Sequence, residues 1–406
     1  MKHKQLLLSV FVLILSATAW ANVEINEENF PDENFRNWIL SQYYGADEVL
    51  TDEEIANIIS IDIWYKSIQS LQGIEFFTAL TELDCGDNQL AALDVSKNTA
   101  LTKLTCYDTQ LTALDVSKNT ALKELYCNSN QLTALDVSKN TALKVLSCGE
   151  NQLTTLDVSK NKALISLWCD ENQLTALDVS KNTALKDLQC GENQLTALDV
   201  SKNTALAKLL CNHNHLTTLD VSKNTALITL WCYHNQLTAL DMSKNTALIN
   251  LRCGYNQLRV LDVSMHTALT DLSCENNPLT ALNVSGCTAL KKLTCFCNQL
   301  KGAGMNALVE SLPTRPAKTG YLYVIWNENE GNVMTTTQVA AAKAKGWMPQ
   351  YYHDNHFTDY AGSDPNGITP ISCSVNAGTA FDLSGHRVKK VKKGVYIIGG
   401  MKVAVK

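Results

Sequence analysis

The sequence has no excess of positive charge. Its 34 Lys and Arg are outnumbered by 40 Asp and Glu, giving a formal charge of -6. That balance argues against a globally basic nucleic-acid binder, which needs a phosphate-neutralising face. Charged residues are scarce at 18% and aromatics at 7%, whereas 45% of the 406 residues are hydrophobic. Such a chain is too apolar to be disordered and long enough to bury a core. Long apolar runs are also missing, with one exception near the start. No nucleophile elbow, zincin helix or phosphate loop is present.

The exception reads as a secretory leader. Lys2, His3 and Lys4 supply the positive start, and Leu6 to Ala19 is mostly apolar. Ala19-Trp20-Ala21 fits cleavage after Ala21. An uncleaved anchor is the alternative, but a membrane span needs about 20 apolar residues. The expectation is an exported protein with no transmembrane helix in its mature chain, secreted or held at the outer cell surface.

What is present in abundance is repetition. Cys85, Cys106, Cys127, Cys148, Cys169, Cys190, Cys211, Cys232, Cys253, Cys274 and Cys295 recur every 21 residues. A period of this length marks a solenoid. One unit reads Leu80-x-x-Leu83-x-Cys85-x-x-Asn88-x-Leu90-x-x-Leu93-Asp94-Val95, the leucine-rich-repeat pattern with Cys at the third apolar position. Leu83 and Cys85 are two apart and point to one face of a short strand. Successive strands then stack in parallel, and each coil buries its apolar edge against its neighbours.

The expected fold is therefore an α/β solenoid, a right-handed leucine-rich-repeat superhelix with one parallel β-sheet. Its parts are a signal peptide (1–21), a helical N-terminal cap (22–57), the repeats (58–300), an atypical coil and cap (301–355), a linker (356–376) and a C-terminal β module (377–406). In the cap, Phe30, Phe35, Trp38, Ile39 and Ile55 form a buried face. Tyr43 to Glu54 has the outline of a calcium loop, but Tyr43 and Glu48 stand where a ligand and a glycine are required. Met305 to Leu312 reads as a helix. A second helix starts with Thr336 or Thr337 as its cap and ends at Gly346. In the module, Gly399-Gly400 between two β-rich runs reads as a hairpin turn.

The array resembles the internalins, and most closely their variant with 21-residue coils and an inward cysteine column. Asn29-Phe30-Pro31-Asp32-Glu33-Asn34-Phe35-Arg36 and Leu71-Gln72-Gly73-Ile74-Glu75 look like the cap and first coil of such proteins in Bacteroidetes. Phe381 to Lys406, with seven Lys or Arg after Gly385 and no acid there, is similar to the sorting domains of type IX secretion. The resemblance implies export and surface display.

The cysteine column allows three readings. Disulfides along it need converging side-chain vectors, and stacked coils keep those vectors parallel. Metal binding needs convergent thiolates, which a linear column does not offer. Burial as free thiols is what remains. Asn88, Asn130 and their successors to Asn298 form a second column, interrupted by Thr109 and suited to satisfying buried backbone groups. His213 and His234 flank this column one coil apart. A histidine pair without a third ligand binds metal poorly. Asp94 and its successors, with Lys97 and its successors three residues on, read as a solvated, near-neutral edge.

No cofactor is implied, and near-identical coils leave little room for a unique catalytic constellation. Function should lie at the variable positions. The residue between each Leu83-type and Cys85-type position faces outward, and there Tyr126, Trp168, Leu210 and Trp231 are large. Tyr233 follows Trp231 on the same face. Exposed aromatics on a polar sheet mark interfaces, although single scattered apolar residues need no role. The expected function is a non-catalytic adhesin that binds a host or neighbouring-cell protein through Tyr126, Trp168, Leu210, Trp231 and Tyr233. The alternative is carbohydrate binding, with Trp168 and Trp231 stacking on sugar rings.

Overall fold

The computed structural model describes residues 22–326, 330–353 and 356–363, together with four short strands between Thr369 and Val405. The proposed leader lies outside the described residues. Among those residues, no helix is long and apolar enough to cross a membrane.

The repeat dictates a parallel-sheet solenoid. Each coil contributes a three-residue strand such as Ser166–Trp168, in which only the central Leu167 is fully buried. Cys169 follows two residues later and is also fully buried, as the two-residue period of a strand requires. Neighbouring strands pair in one register, Leu167 with Leu188, Leu188 with Leu209 and Leu209 with Leu230. A constant 21-residue offset thus stacks like on like. The result is a 15-stranded sheet running in chain order from Ser60–Asp62 to His356–Asp359. Leu174, Leu177 and Val179 carry the chain back across the core and are buried with Leu167 and Cys169.

Two polar columns seal the coils. Asn193 Nδ2 donates to the carbonyls of Cys169 (3.0 Å) and Gly191 (3.0 Å), and Oδ1 accepts from Leu174 N (2.9 Å). Its equivalents repeat this pattern, and Asn332 continues it past the regular array by donating to Cys295 O and Val324 O. A second ladder, Asn98 through Asn245, was not legible as such in the sequence. Asn119 Nδ2 donates to Val95 O and Asn98 O at 2.9 Å each. His266 and Cys287 take over this column, both buried. Cys287 Sγ there lies 3.3 Å from Val263 O, as a donor to that carbonyl. The Asp94 column caps turns rather than pairing with lysines. Asp157 Oδ1 accepts from Ser159 N at 2.8 Å, and this bond holds its carboxyl below the usual range.

The cysteine column consists of free, buried thiols. Burial pushes each of them well up from its ordinary pKa. Since the thiolate is the reactive form, the ladder thiols of native protein should react very slowly with a thiol reagent. Of the described cysteines only Cys297 is partly accessible, and burial with Glu330 nearby pushes its thiol up to about 12. Absorbance-monitored labelling should reach the eleven ladder cysteines only after denaturation. Rapid native labelling of several ladder thiols would contradict the register.

The cap closes the first coil. Helix α1 (Glu33–Leu40) buries Phe35 and Ile39, and α2 (Asp52–Asn57) buries Ile55. Trp38 is only partly buried against this cluster. Asp32 joins cap to array: one carboxylate oxygen accepts from Phe35 N (2.9 Å), the other from Gln69 N (2.7 Å) and Ser70 N (3.1 Å). Glu54, last residue of the calcium-like outline, is engaged in a capping box with Thr51, accepting from its N and Oγ1. Gly73 has φ +104°, and a Cβ there would meet the Phe30 ring at 2.2 Å. Gly73→Ala should therefore cost at least about 2 kcal/mol through combined strain and overpacking. Denaturant titration of the variant measures this.

The C-terminal end departs from the sequence reading in three places. Helices α3 (Ala303–Ser311) and α4 (Thr336–Ala344) are present, but Thr335, not Thr336 or Thr337, is the N-cap of α4, with Gln338 completing its capping box. Trp347–His353 adds a parallel strand beyond Gly320–Ile325, hidden in the sequence by Pro349. The linker expected from residue 356 begins instead as strand His356–Asp359, antiparallel to Trp347–His353. Its anchor is Phe357, whose ring packs 4.3 Å from Tyr323 and 5.1 Å from Tyr352, centroid to centroid. Ser363 is still bridged to Thr335. Farther on, Gly394–Ile398 and Met401–Val405 pair antiparallel within a separate four-stranded sheet.

Candidate functional site

Side chains at the middle outward position form one column, because the strands share a register. Tyr126, Ser147, Trp168, Gln189, Leu210, Trp231 and Arg252 are successive neighbours. The column continues through Thr294 to Tyr323, a member the sequence reading omitted because its coil breaks the period.

The five expected residues share the sheet face but fall into two groups. Tyr126 and Trp168 approach with ring centroids 6.5 Å apart. Trp231 and Tyr233 do so at 6.4 Å, with Leu210 beside Trp231 in the next strand. Gln189 separates the groups.

None of the five is as open as expected. All are half-buried, because neighbours on the same face cover them. The Arg252 guanidinium lies over Trp231, 4.2 Å from the ring centroid, a cation–π contact. Trp231 Nε1 donates to Asn250 Oδ1 at 2.8 Å. Tyr126 Oη donates to Glu124 Oε2 at 3.2 Å. Trp168 Nε1 is buried and makes no hydrogen bond among the described residues. The more open aromatics lie elsewhere, Trp64 and Tyr65 on the first coil being 47% and 72% exposed.

A second set of rings runs along the edge of the face. Each strand of the regular coils is followed by a residue with φ near +50°, among them Glu171, Glu192, His213, His234 and Tyr255. The left-handed conformation there turns the chain away from the sheet. His213 and His234 stack at 4.2 Å and 17°, and His234 and Tyr255 at 3.9 Å and 16°. Tyr233 meets His213 edge-on at 5.2 Å. Face-to-face stacking does not aim ring nitrogens at a common point. Among the described residues no group of three His, Cys, Asp or Glu could hold a metal ion. Burial, and then His213, holds His234 below its usual pKa. The signal for this stack was in the sequence, as large residues directly before the ladder asparagines Asn214, Asn235 and Asn256.

A depression of about 250 Å³ is lined by Leu210, Trp231 and Tyr233 and by Asp170, Glu171 and Glu192, with Gln189, Gly191 and Asn212 completing it. Burial raises the Asp170 carboxyl above its usual range, with Glu150 and Glu192 adding to the shift. Burial and then Glu192, Glu150 and Asp170 do the same for Glu171. Ion pairs in the described residues join Arg36 to Glu27, Lys208 to Asp187 and Lys343 to Asp359, so none of these three carboxylates has one.

No family model matches the chain. A 71-residue segment, 17% of the chain, is 40% identical to Internalin J of Listeria monocytogenes serotype 4b (strain F2365). That segment spans 8% of the relative's length. Over a much larger extent, the fold is similar to the functional domain of InlJ from Listeria monocytogenes, which includes a cysteine ladder. The TM-score is 0.67 at 28% identity, covering 95% of this chain and 98% of that one. It is also similar to an internalin, InlF, from Listeria monocytogenes strain 4b F2365. There the TM-score is 0.71 at 22% identity, over 84% of this chain and all of that one, a likeness of fold.

Proposed function

We propose that this chain, an internalin-like leucine-rich-repeat protein with a cysteine ladder, is a non-catalytic adhesin that binds a protein through its sheet face. The observation that supports this most is the half-buried stripe of Tyr126, Trp168, Leu210, Trp231 and Tyr233 in one register on a 15-stranded sheet. Aromatic anchors already packed in place lose little side-chain entropy on binding. The leader carries the protein across the membrane, and it is secreted or displayed at the outer surface. The tail from Phe381 acts as a sorting module like those of type IX secretion, as in exported proteins of the Bacteroidetes.

Carbohydrate binding is the competing reading, and the ring environment argues against it. Sugar stacking needs a free ring face, and Arg252 takes one face of Trp231 while Tyr126 packs against Trp168. The mature chain, residues 22–406, tested on a panel of immobilised cell-surface proteins and on a glycan array, should give saturable binding to a protein and none to glycans. Saturable glycan binding lost in Trp168→Ala would replace the adhesin reading with the carbohydrate one. Sequencing of protein recovered outside the cell should begin at Asn22. Recovery of the intact leader would remove the export proposal.

A further inference from the structure

We infer that the depression beside Tyr233 accepts a basic side chain, lysine or arginine, presented by the protein partner. This deepens the reading of the sheet face as a protein-binding surface and rests on it. Three observations carry it. The first is chemistry. Its lining combines an apolar and aromatic part, from Leu210, Trp231 and Tyr233, with an acidic part, from Asp170, Glu171 and Glu192. A lysine or arginine is the side chain that matches both, with a methylene stem for the apolar part and a cation for the carboxylates.

The second is the absence of a direct ion pair. Among the described residues, none of the three carboxylates is paired. The basic groups of this region are engaged elsewhere: Arg252 lies over the face of Trp231, and Lys208, which partly offsets the upward shift of Asp170, is paired with Asp187 at 3.6 Å. Carboxylates held near one another without a direct ion pair are a place where an incoming cation relieves like-charge repulsion. The Asp170 and Glu171 carboxyls, shifted upward partly by their acidic neighbours, report that repulsion. Further acids stand at the left-handed corner position along the same edge, Glu150 and, beyond Ser129, Asp108 and Asp87. The third observation is size. At about 250 Å³ the depression is below the range of about 300–1,000 Å³ typical of small-molecule sites. It suits one side chain of a larger partner.

The test uses fluorescein-labelled hexalysine as the probe and fluorescence anisotropy of the mature chain as the readout. Wild type should bind, and binding should weaken as ionic strength rises from about 0.01 M to about 0.15 M, where screening shortens from about 30 Å to about 8 Å. The triple variant Asp170→Asn, Glu171→Gln, Glu192→Gln should lose at least about tenfold in affinity. Should the triple variant fold poorly by circular dichroism, Glu192→Gln alone, at its exposed corner, should still lose at least about threefold. A charge-matched control, Asp136→Asn, Asp157→Asn, Asp178→Asn, should bind like wild type. An amide keeps the turn there, as Asn283 does naturally by accepting from Ser285 N.

Absence of hexalysine binding overturns the inference. So does a rim variant that binds like wild type, or a control that loses as much as the rim variant. The two levels of the proposal separate cleanly. Partner binding lost in Trp168→Ala, Trp231→Ala but kept in the rim variant removes this inference and leaves the sheet-face reading. Hexalysine binding lost in the rim variant, with partner binding indifferent to the tryptophans, removes the sheet-face reading instead.

Discussion

Asn193→Ala should destabilise the protein by about 3–5 kcal/mol, far more than any substitution on the sheet face. The side chain is almost fully buried and accepts from Leu174 N while donating to the carbonyls of Cys169 and Gly191. Alanine leaves a buried N–H and buried carbonyls without partners, and each such group costs about 1–3 kcal/mol. The loss falls between adjacent coils, and in a solenoid stability is close to a sum of coil and nearest-neighbour terms. The unfolding transition should therefore broaden or split as the two halves separate. Asn193→Thr should cost about half as much. Thr109 shows why: its hydroxyl lies 3.2 Å from Cys106 O and 2.6 Å from Asn130 Oδ1, so a hydroxyl in this column keeps part of the bonding. Denaturant titration followed by circular dichroism measures both. A loss under about 1 kcal/mol for the alanine variant would show that water replaces the amide at the turn.

The regular coils were legible because their pattern is short, local and repeated. The two-residue spacing of Leu83 and Cys85 fixes which side chains turn inward, and the 21-residue offset fixes the strand register. The Asn88 column was legible for the same reason. The Asn98 ladder was not, although its period is equally plain. Val-Ser-Lys-Asn reads as ordinary polar turn chemistry, and only the coil-to-coil distances reveal that Asn119 reaches Val95 O and Asn98 O. The last strands were missed on different grounds. Pro349 and the broken period conceal Trp347–His353, and His356–Asp359 is held by long-range packing of Phe357 on Tyr323 and Tyr352. For the site, sequence gave the column but not the cover. Register places Trp231 on the outward face, yet Arg252 lies 21 residues ahead, and nothing local announces that its guanidinium folds back over the indole. The acidic part of the lining was equally hidden, since Asp170, Glu171 and Glu192 belong to two coils and gain meaning only beside Tyr233.

Replacing Trp168 and Trp231 together by Ala should weaken partner binding at least about tenfold, because buried aromatic anchors each contribute roughly 2 kcal/mol or more to an interface. The stability cost should be much smaller, though not zero as fully exposed rings would imply. Trp231 gives up its contact with Arg252, about 0.5–1 kcal/mol for a cation–π pair near the surface, and its hydrogen bond to Asn250. Trp168 gives up its packing against Tyr126 but no hydrogen bond among the described residues, since its Nε1 has none. The pair should together cost about 1–2 kcal/mol, well below the single asparagine in the ladder. The core is untouched, because Leu167 and Leu230, on the opposite side of the same strands, fill it. Surface plasmon resonance on the captured partner and denaturant titration of the variant separate the two effects. Intact binding alongside a loss above about 4 kcal/mol would mean that the rings serve folding. Recognition would then move to the corner stack of His213, His234 and Tyr255, a continuous set of rings bordering this face.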